Sequence, residues 1–316
     1  MAHLIEQMAY VGATPWHGLG SRLTEKQPLE IWQHEAGMNW QIRESPVHYK
    51  ADTVGPLGTI HSFPEQKVLY RSDTKAALSV VSQRYQVVQP REVLEFYRDL
   101  TERSGYELET AGVLKGGRKL WALARTGQST ALKGNDVVNG YLLLATSCDG
   151  TLATTATPTT IRVVCNNTLS IAVNGASQAI KVPHSTRFDP RAVKQQLGIT
   201  VSQWDDFMYR MRTLAARPVK AHEAKGYLRS VLCEVQTGIS NERTLTKVLN
   251  LYEGHGRGAE LEAAKGTAWG LLNAVTEYVD HERRARSNEY RMDTAWFGQG
   301  AVIKQRALNV ALQLVA

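Results

Sequence analysis

Long hydrophobic runs are missing from this 316-residue chain. No stretch of about eighteen apolar residues occurs, so no membrane-spanning helix is expected. Cysteine is scarce. Cys148, Cys165 and Cys233 stand far apart, which excludes a disulfide framework and the close pair of a zinc motif. Histidine motifs are lacking too: there is no HExxH, and His222-Glu223 and His281-Glu282 are only neighbours, pointing to different sides of a helix. A Walker or Rossmann glycine signature is also absent. Gly254-His255-Gly256-Arg257-Gly258 is glycine-rich but has neither the spacing nor a preceding strand, and an interhelical loop explains it better than a phosphate cradle. The first residues, MAHLIEQMAYVG, have no basic start followed by an apolar run, so a secretory signal is not expected and the expected compartment is the cytoplasm.

What is present describes a protein with a substantial core. Apolar residues make up 43% and charged residues 21%, the balance of an ordinary globular chain. The formal net charge of +7 is uneven. Residues 1–180 hold 17 Lys+Arg against 16 Asp+Glu, whereas residues 181–316 hold 20 against 14. A polyanion is therefore drawn mainly to the C-terminal half, although many proteins carry such an excess without a nucleic-acid partner.

Local patterns divide the chain into an arm, a sheet and a helical region. Residues 1–24 include TPWHGLGSRLT, punctuated by Gly and Pro and unsuited to a regular element. Residues 25–182 read as a mixed sheet domain with a packed helix. Its expected strands lie at Trp40–Tyr49, Val68–Tyr70, Leu78–Val81, Glu107–Leu114 and Leu120–Arg125. Pro90 opens a helix whose apolar face is Val93, Leu94, Tyr97 and Leu100, and which Gly105 ends. Gly116-Gly117 predicts a tight hairpin. The nearly uncharged run from Tyr141 to Asn174 supplies further strands, split by Asp149-Gly150 and interrupted at Thr157-Pro158-Thr159. Val163–Val173 fits both periods, with a lean towards helix over Asn167–Val173. Residues 183–316 are mostly helical, packed as a separate region or as one unit with the sheet. A long helix from Thr267 is expected to carry Arg283, Arg284 and Arg286 at its basic end. The fold class is α+β.

Candidate catalytic groups are weak. Cys148-Asp149-Gly150 offers a thiol beside a carboxylate that opposes thiolate formation, and a turn held by Asp149 is the better reading. No catalytic, metal or cofactor residues are assigned. Cationic groups make a stronger case: Arg71, Arg84, Lys115, Arg118, Lys119 and Arg162 border strands or turns, and Arg283, Arg284 and Arg286 add a second cluster. Phosphate contact with base stacking on Tyr85 or Tyr290 is the chemistry such a set performs, against a solvated or ion-paired role for the same side chains. Asn166 and Asn167, adjacent amides in an apolar run, suit either a helix cap or contact with bases or phosphate.

Several stretches together resemble the phage- and plasmid-associated proteins of domain-of-unknown-function family 932. They are YRSDTKAALSVVSQRYQVVQPREVLEFY from Tyr70, AGVLKGGRKLWALAR from Ala111, TPTTIRVVCNNTLSIAV from Thr157, GTAWGLLNAVTEYVDHERR from Gly266 and WFGQGAVIKQRAL from Trp296. The resemblance implies work in mobile-element DNA metabolism or in evading host defence, with no catalytic residue to carry over. Strands followed by the Pro90 helix are also similar in plan to Rad52-like single-strand annealing proteins, an analogy of fold alone. The expectation is a non-catalytic protein that binds or anneals single-stranded DNA and forms a homo-oligomer. The rival is a scaffold that contacts a host or phage protein. An enzyme stands third and needs Cys148, Asp149 and a histidine to converge.

Overall fold

Helix formation is clearest where the sequence supplies both ends. Pro90 starts the helix Pro90–Ser104, Gln89 and Glu92 form a capping box, and Gly105 closes it at φ 67°. Proline at the first turn sacrifices no hydrogen bond, and glycine takes the left-handed cap without a Cβ clash. The inner residues Val93, Leu94, Phe96 and Tyr97 are almost wholly buried. The Tyr97 hydroxyl lies 2.9 and 3.0 Å from the carbonyl oxygens of Ala122 and Leu142 and accepts the Leu144 N–H at 2.9 Å. That single polar atom fixes the helix to two strands of the sheet beneath it.

The structure is a computed structural model and describes residues 7–12, 20–51, 58–164, 167–173, 176–177, 179–201, 204–232 and 242–315. Its elements in chain order begin with β1 (Gln7–Val11), β2 (Ser21–Leu23), α1 (Leu29–Glu35), β3 (Ile42–Ala51), β4 (Thr59–Arg71), β5 (Ala77–Ser82) and α2 (Pro90–Ser104). Then come β6 (Glu107–Leu114), β7 (Lys119–Ala131), β8 (Val137–Ser147), β9 (Thr154–Arg162), β10 (Asn167–Ser170), the short β11 (Ala172–Val173) and β12 (Ala176–Ser177), and β13 (Ile180–Val182). The helices α3 (Pro190–Val201), α4 (Trp204–Ala216), α5 (Ala221–Leu232), α6 (Glu242–Asn250), α7 (Ala268–Glu277), α8 (Asn288–Phe297) and α9 (Gln299–Gln313) complete it.

The main sheet runs β10-β9-β8-β7-β6-β1-β2, with β13 also paired to β9. All its pairs are antiparallel except β1–β2. A second sheet, β3-β4-β5, packs with α2 on one face, where Ile42, Leu69, Leu78, Ala122 and Leu144 share a core. The other face buries Trp121, Leu123, Tyr141 and Leu143 against Met292, Trp296 and Phe297 of α8. A third core gathers Trp204, Phe207, Met211, Leu228, Val248, Trp269, Leu272 and Leu308 from the helical region, and Val138 and Leu169 of the sheet reach into it. The α+β architecture is thus a mostly antiparallel sheet with packed helices followed by a mostly helical region. No helix among the described residues is long and apolar enough to cross a membrane.

Several local expectations are corrected. Asn167–Ser170 is a strand, not a helix: residues Asn167 to Ser170 pair with Arg162 to Thr159, and long-range ladder bonds override a sequence that fits both periods. Pro158 does not interrupt its strand. It sits opposite Leu142 between the stretches of β9 covered by β13 and β10, where a missing N–H is tolerated. By contrast, the hairpin expected at Gly116-Gly117 is present: β6 and β7 are antiparallel with Leu114 opposite Lys119, and Lys115, Gly116 and Gly117 in the turn all have positive φ. The helix α7 ends in a π-turn over Tyr278–Glu282, so Arg283, Arg284 and Arg286 lie in the loop before α8 and share no helix face.

Candidate nucleic-acid interface

Turns bring distant cations to one end of the main sheet. The β6–β7 turn carries Lys115 and Arg118, and its Arg118 carbonyl accepts the Cys148 N–H at 2.9 Å. The Tyr85 hydroxyl donates to the neighbouring Ser147 carbonyl at 2.8 Å. Arg84, Tyr85 and Arg118 therefore flank the same two-residue stretch, Ser147-Cys148. Helix α8 reaches the same place: the Glu289 carboxylate accepts the Lys115 backbone N–H, and Lys115 Nζ lies 5.6 Å from the Tyr290 ring centre. Arg286 is three residues before Glu289, and Arg284 lies further back in the same loop, two residues after Glu282, which pairs with Lys247 of α6. Arg71 belongs to the same end, because it stacks 4.4 Å over Trp40, whose ring lies where a Cβ on Gly117 would come within 2.9 Å.

Ion pairs then separate the cations into two groups. Asp293 holds both Lys119 Nζ (2.5 Å) and Lys115 Nζ (2.6 Å), and Lys119 is buried. Asp73 holds Arg71 at 2.8 Å, and that hydrogen bond brings the aspartate down to about 2. These three side chains build the platform. By contrast Arg84, Arg118, Arg284 and Arg286 are exposed and have no carboxylate partner among the described residues. The nearby acids do not offset them directly: Glu282 is taken by Lys247 at 2.7 Å, and Asp149 faces Thr151 at 2.6 Å. Arg283 is half-buried in the same loop.

Two of the sequence candidates lie elsewhere. Arg162 is buried near the opposite end of β9, where it clamps Asp136 through two hydrogen bonds of 2.6 and 2.8 Å. Asn167 is buried beside it, donating to the Asn273 carbonyl at 3.3 Å and facing His281 Nε2 at 3.2 Å. Neither is available to a ligand at the surface. Asn166 lies outside the described residues. Tyr85 is present at the right end but is not a free stacking surface, since His184 covers its ring at 4.4 Å and 14°. Burial also pushes its hydroxyl up to about 12. Tyr290, more exposed at 36%, is the better platform for a base.

The catalytic alternative gains no support from the geometry. Burial pushes the Cys148 thiol up to about 12, and its sulfur faces the carbonyls of Gly117 and Arg118. His184 turns its nitrogens to the Gln86 and Leu152 carbonyls, at 2.9 and 3.1 Å, rather than to the thiol. Among the described residues no group of three His, Cys, Asp or Glu side chains is placed to hold a metal ion. A cleft of about 270 Å³ opens between β9 and α8–α9, lined by Thr155, Thr157, Thr159, Lys181, Trp296 and Gln305. Sequence reasoning missed it, as it missed Asp293 and His184, because their partners are far away in the chain.

No curated protein matches this chain. A family profile does, from the start of β5 almost to the end of α8, and so takes in Arg84, Lys115, Arg118 and the loop before α8. Matched over residues 77–296, the chain belongs to DUF932, a family defined as a domain of unknown function.

Proposed function

We propose that this protein binds single-stranded nucleic acid, DNA in the first instance, without cleaving it, and does so at the end of the sheet where the β6–β7 turn meets α8. One observation carries the reading: Arg84, Arg118, Arg284 and Arg286 are exposed and have no acidic partner among the described residues, while Asp293 and Glu282 near them are held by lysines. Guanidinium groups of that kind neutralise phosphate and release condensed counterions. Tyr290 supplies a π-face for a neighbouring base. The resemblance to phage- and plasmid-associated proteins fits annealing or protecting a strand during mobile-element DNA metabolism, in the cytoplasm.

Fluorescence anisotropy with a labelled single strand tests this. The expected result is saturable binding at low salt that weakens steeply as salt rises, with a log–log slope of about −0.7 per phosphate contact. Absence of binding at low salt, or binding indifferent to salt, contradicts it. A protein-contact role is the second reading, favoured by the exposed β3–β4 hairpin.

A further inference from the structure

We propose that the cleft between β9 and the α8–α9 corner binds a small amphipathic carboxylate, a monoanion with a compact apolar body. Strand register lays its floor. Thr155, Thr157 and Thr159 alternate along β9 and so share one face of the sheet. Leu143 of β8 lies opposite Thr157, and Leu123 of β7 opposite Leu143, so one row crosses the floor from two leucines to a hydroxyl. Along the other edge of β9, Lys181 of β13 sits opposite Thr155 and Ser170 of β10 opposite Thr159. The helical wall comes from Trp296 and Phe297 at the end of α8 and from Ala301, Val302 and Gln305 in the first turns of α9.

The polar groups of the cleft divide by what already holds them. Thr155 and Thr159 give their hydroxyl protons to the Ala153 and Leu169 carbonyls, at 2.8 and 3.0 Å. Thr157, Ser170 and Lys181, which lie among them, have no side-chain partner among the described residues. Lys304 completes the row. It is 5% exposed, lines the cleft, and donates to the Thr168 hydroxyl at 2.6 Å and to Asp280 at 2.7 Å. An ammonium carries three protons, so Lys304 keeps one that no described residue accepts.

Charge and size define the ligand class. No acidic side chain among the described residues lines the cleft. Asp280, which does not line it, balances the Lys304 ammonium, and Lys181 then leaves a single net positive charge. A carboxylate brings one negative charge and two acceptor oxygens for these free N–H and O–H groups. A phosphate monoester approaches a charge of about −2 and is the poorer match. Leu123, Leu143, Leu152, Trp296 and Phe297 receive the apolar body. A volume of about 270 Å³ lies just below that of drug-sized sites, which limits the body to about two rings or eight carbons. Trp296 ends the helix that Tyr290 begins, so this site stands apart from the single-strand interface and does not depend on it.

Isothermal titration calorimetry of the full chain with 2-naphthoate, octanoate and 4-phenylbutyrate, each beside its primary amide, tests the proposal. At least one carboxylate is expected to bind at a single site with a Kd of about 0.1–1 mM, and its amide about tenfold more weakly. 2-Naphthyl phosphate should bind no more tightly than 2-naphthoate. Lys181→Gln and Thr157→Val, both outside the three cores, should each weaken the carboxylate about three- to tenfold with an unchanged melting curve. Ala301→Trp, which fills the cleft from α9, should abolish binding. Failure of all three carboxylates to bind overturns the proposal. So do amides that match their acids, a phosphate that binds more tightly, or an affinity that Lys181→Gln and Thr157→Val leave unchanged.

Discussion

Asp136→Ala is expected to lower the stability of the fold by about 3–5 kcal/mol, the cost of leaving a buried guanidinium without its partner. Asp136 and Arg162 are 0% and 3% exposed in their side chains, and the Trp269 indole N–H also donates to Asp136, at 2.9 Å. The guanidinium continues outward to the Gly258 carbonyl at 3.0 Å and the Arg257 carbonyl at 3.4 Å. One ion pair thus ties the far end of β9 to α7 and to the glycine-rich loop. Glu277 anchors that loop from the other side by accepting the Arg257 N–H at 3.0 Å, and burial raises its carboxyl. Domains are stable by only about 5–15 kcal/mol, so the variant should unfold at a much lower urea concentration. Replacing Arg162 and Asp136 together by leucine should recover much of the loss, because the penalty comes from an uncompensated charge. A change under about 1 kcal/mol in Asp136→Ala contradicts this account of the pair.

Arg84→Glu with Arg118→Glu should weaken single-strand binding on the order of 10- to 100-fold, with unfolding unchanged. Both side chains are exposed and held by no carboxylate among the described residues, so reversal removes two phosphate contacts without opening a core. The salt dependence separates this from a general loss of charge: the log–log slope should become shallower by about 0.7 for each contact removed. Lys225→Glu with Arg229→Glu, both on the exposed side of α5, changes net charge equally and should leave both quantities nearly unchanged. Equal losses in the two variants point to diffuse attraction and contradict a defined interface.

The contrast between Arg118 and Arg162 shows how far the sequence could be read. Each is a cation at the margin of an apolar strand, and composition distinguishes neither. Their fates depend on whether a carboxylate distant in the chain reaches them: Asp136, 26 residues away, holds Arg162, as Asp293 holds Lys119 from 174 residues away, whereas none among the described residues holds Arg118. Charge sign is legible locally, whereas neutralisation is a property of the fold. Helix α2 was legible because its opening proline, its apolar face and its terminal glycine are all local signals in the chain. The strand Asn167–Ser170 was not, because only pairing with β9 decides between its two periods. The loop holding Arg284 and Arg286 was misread for a related reason. Helical spacing continues past Glu282, but the π-turn over Tyr278–Glu282 ends the helix there, as the Arg283 N–H closes onto the Tyr278 carbonyl at 2.7 Å.

Photochemical cross-linking of a bromodeoxyuridine-substituted single strand to the full-length protein, mapped by peptide mass spectrometry, tests the proposed interface most directly. Adducts should concentrate in the peptides carrying Arg84–Tyr85, Lys115–Arg118 and Arg284–Tyr290, and should disappear when unlabelled single strand competes. Adducts spread over the surface, or gathered around Arg162 and Asn167 at the opposite end of the sheet, would contradict it.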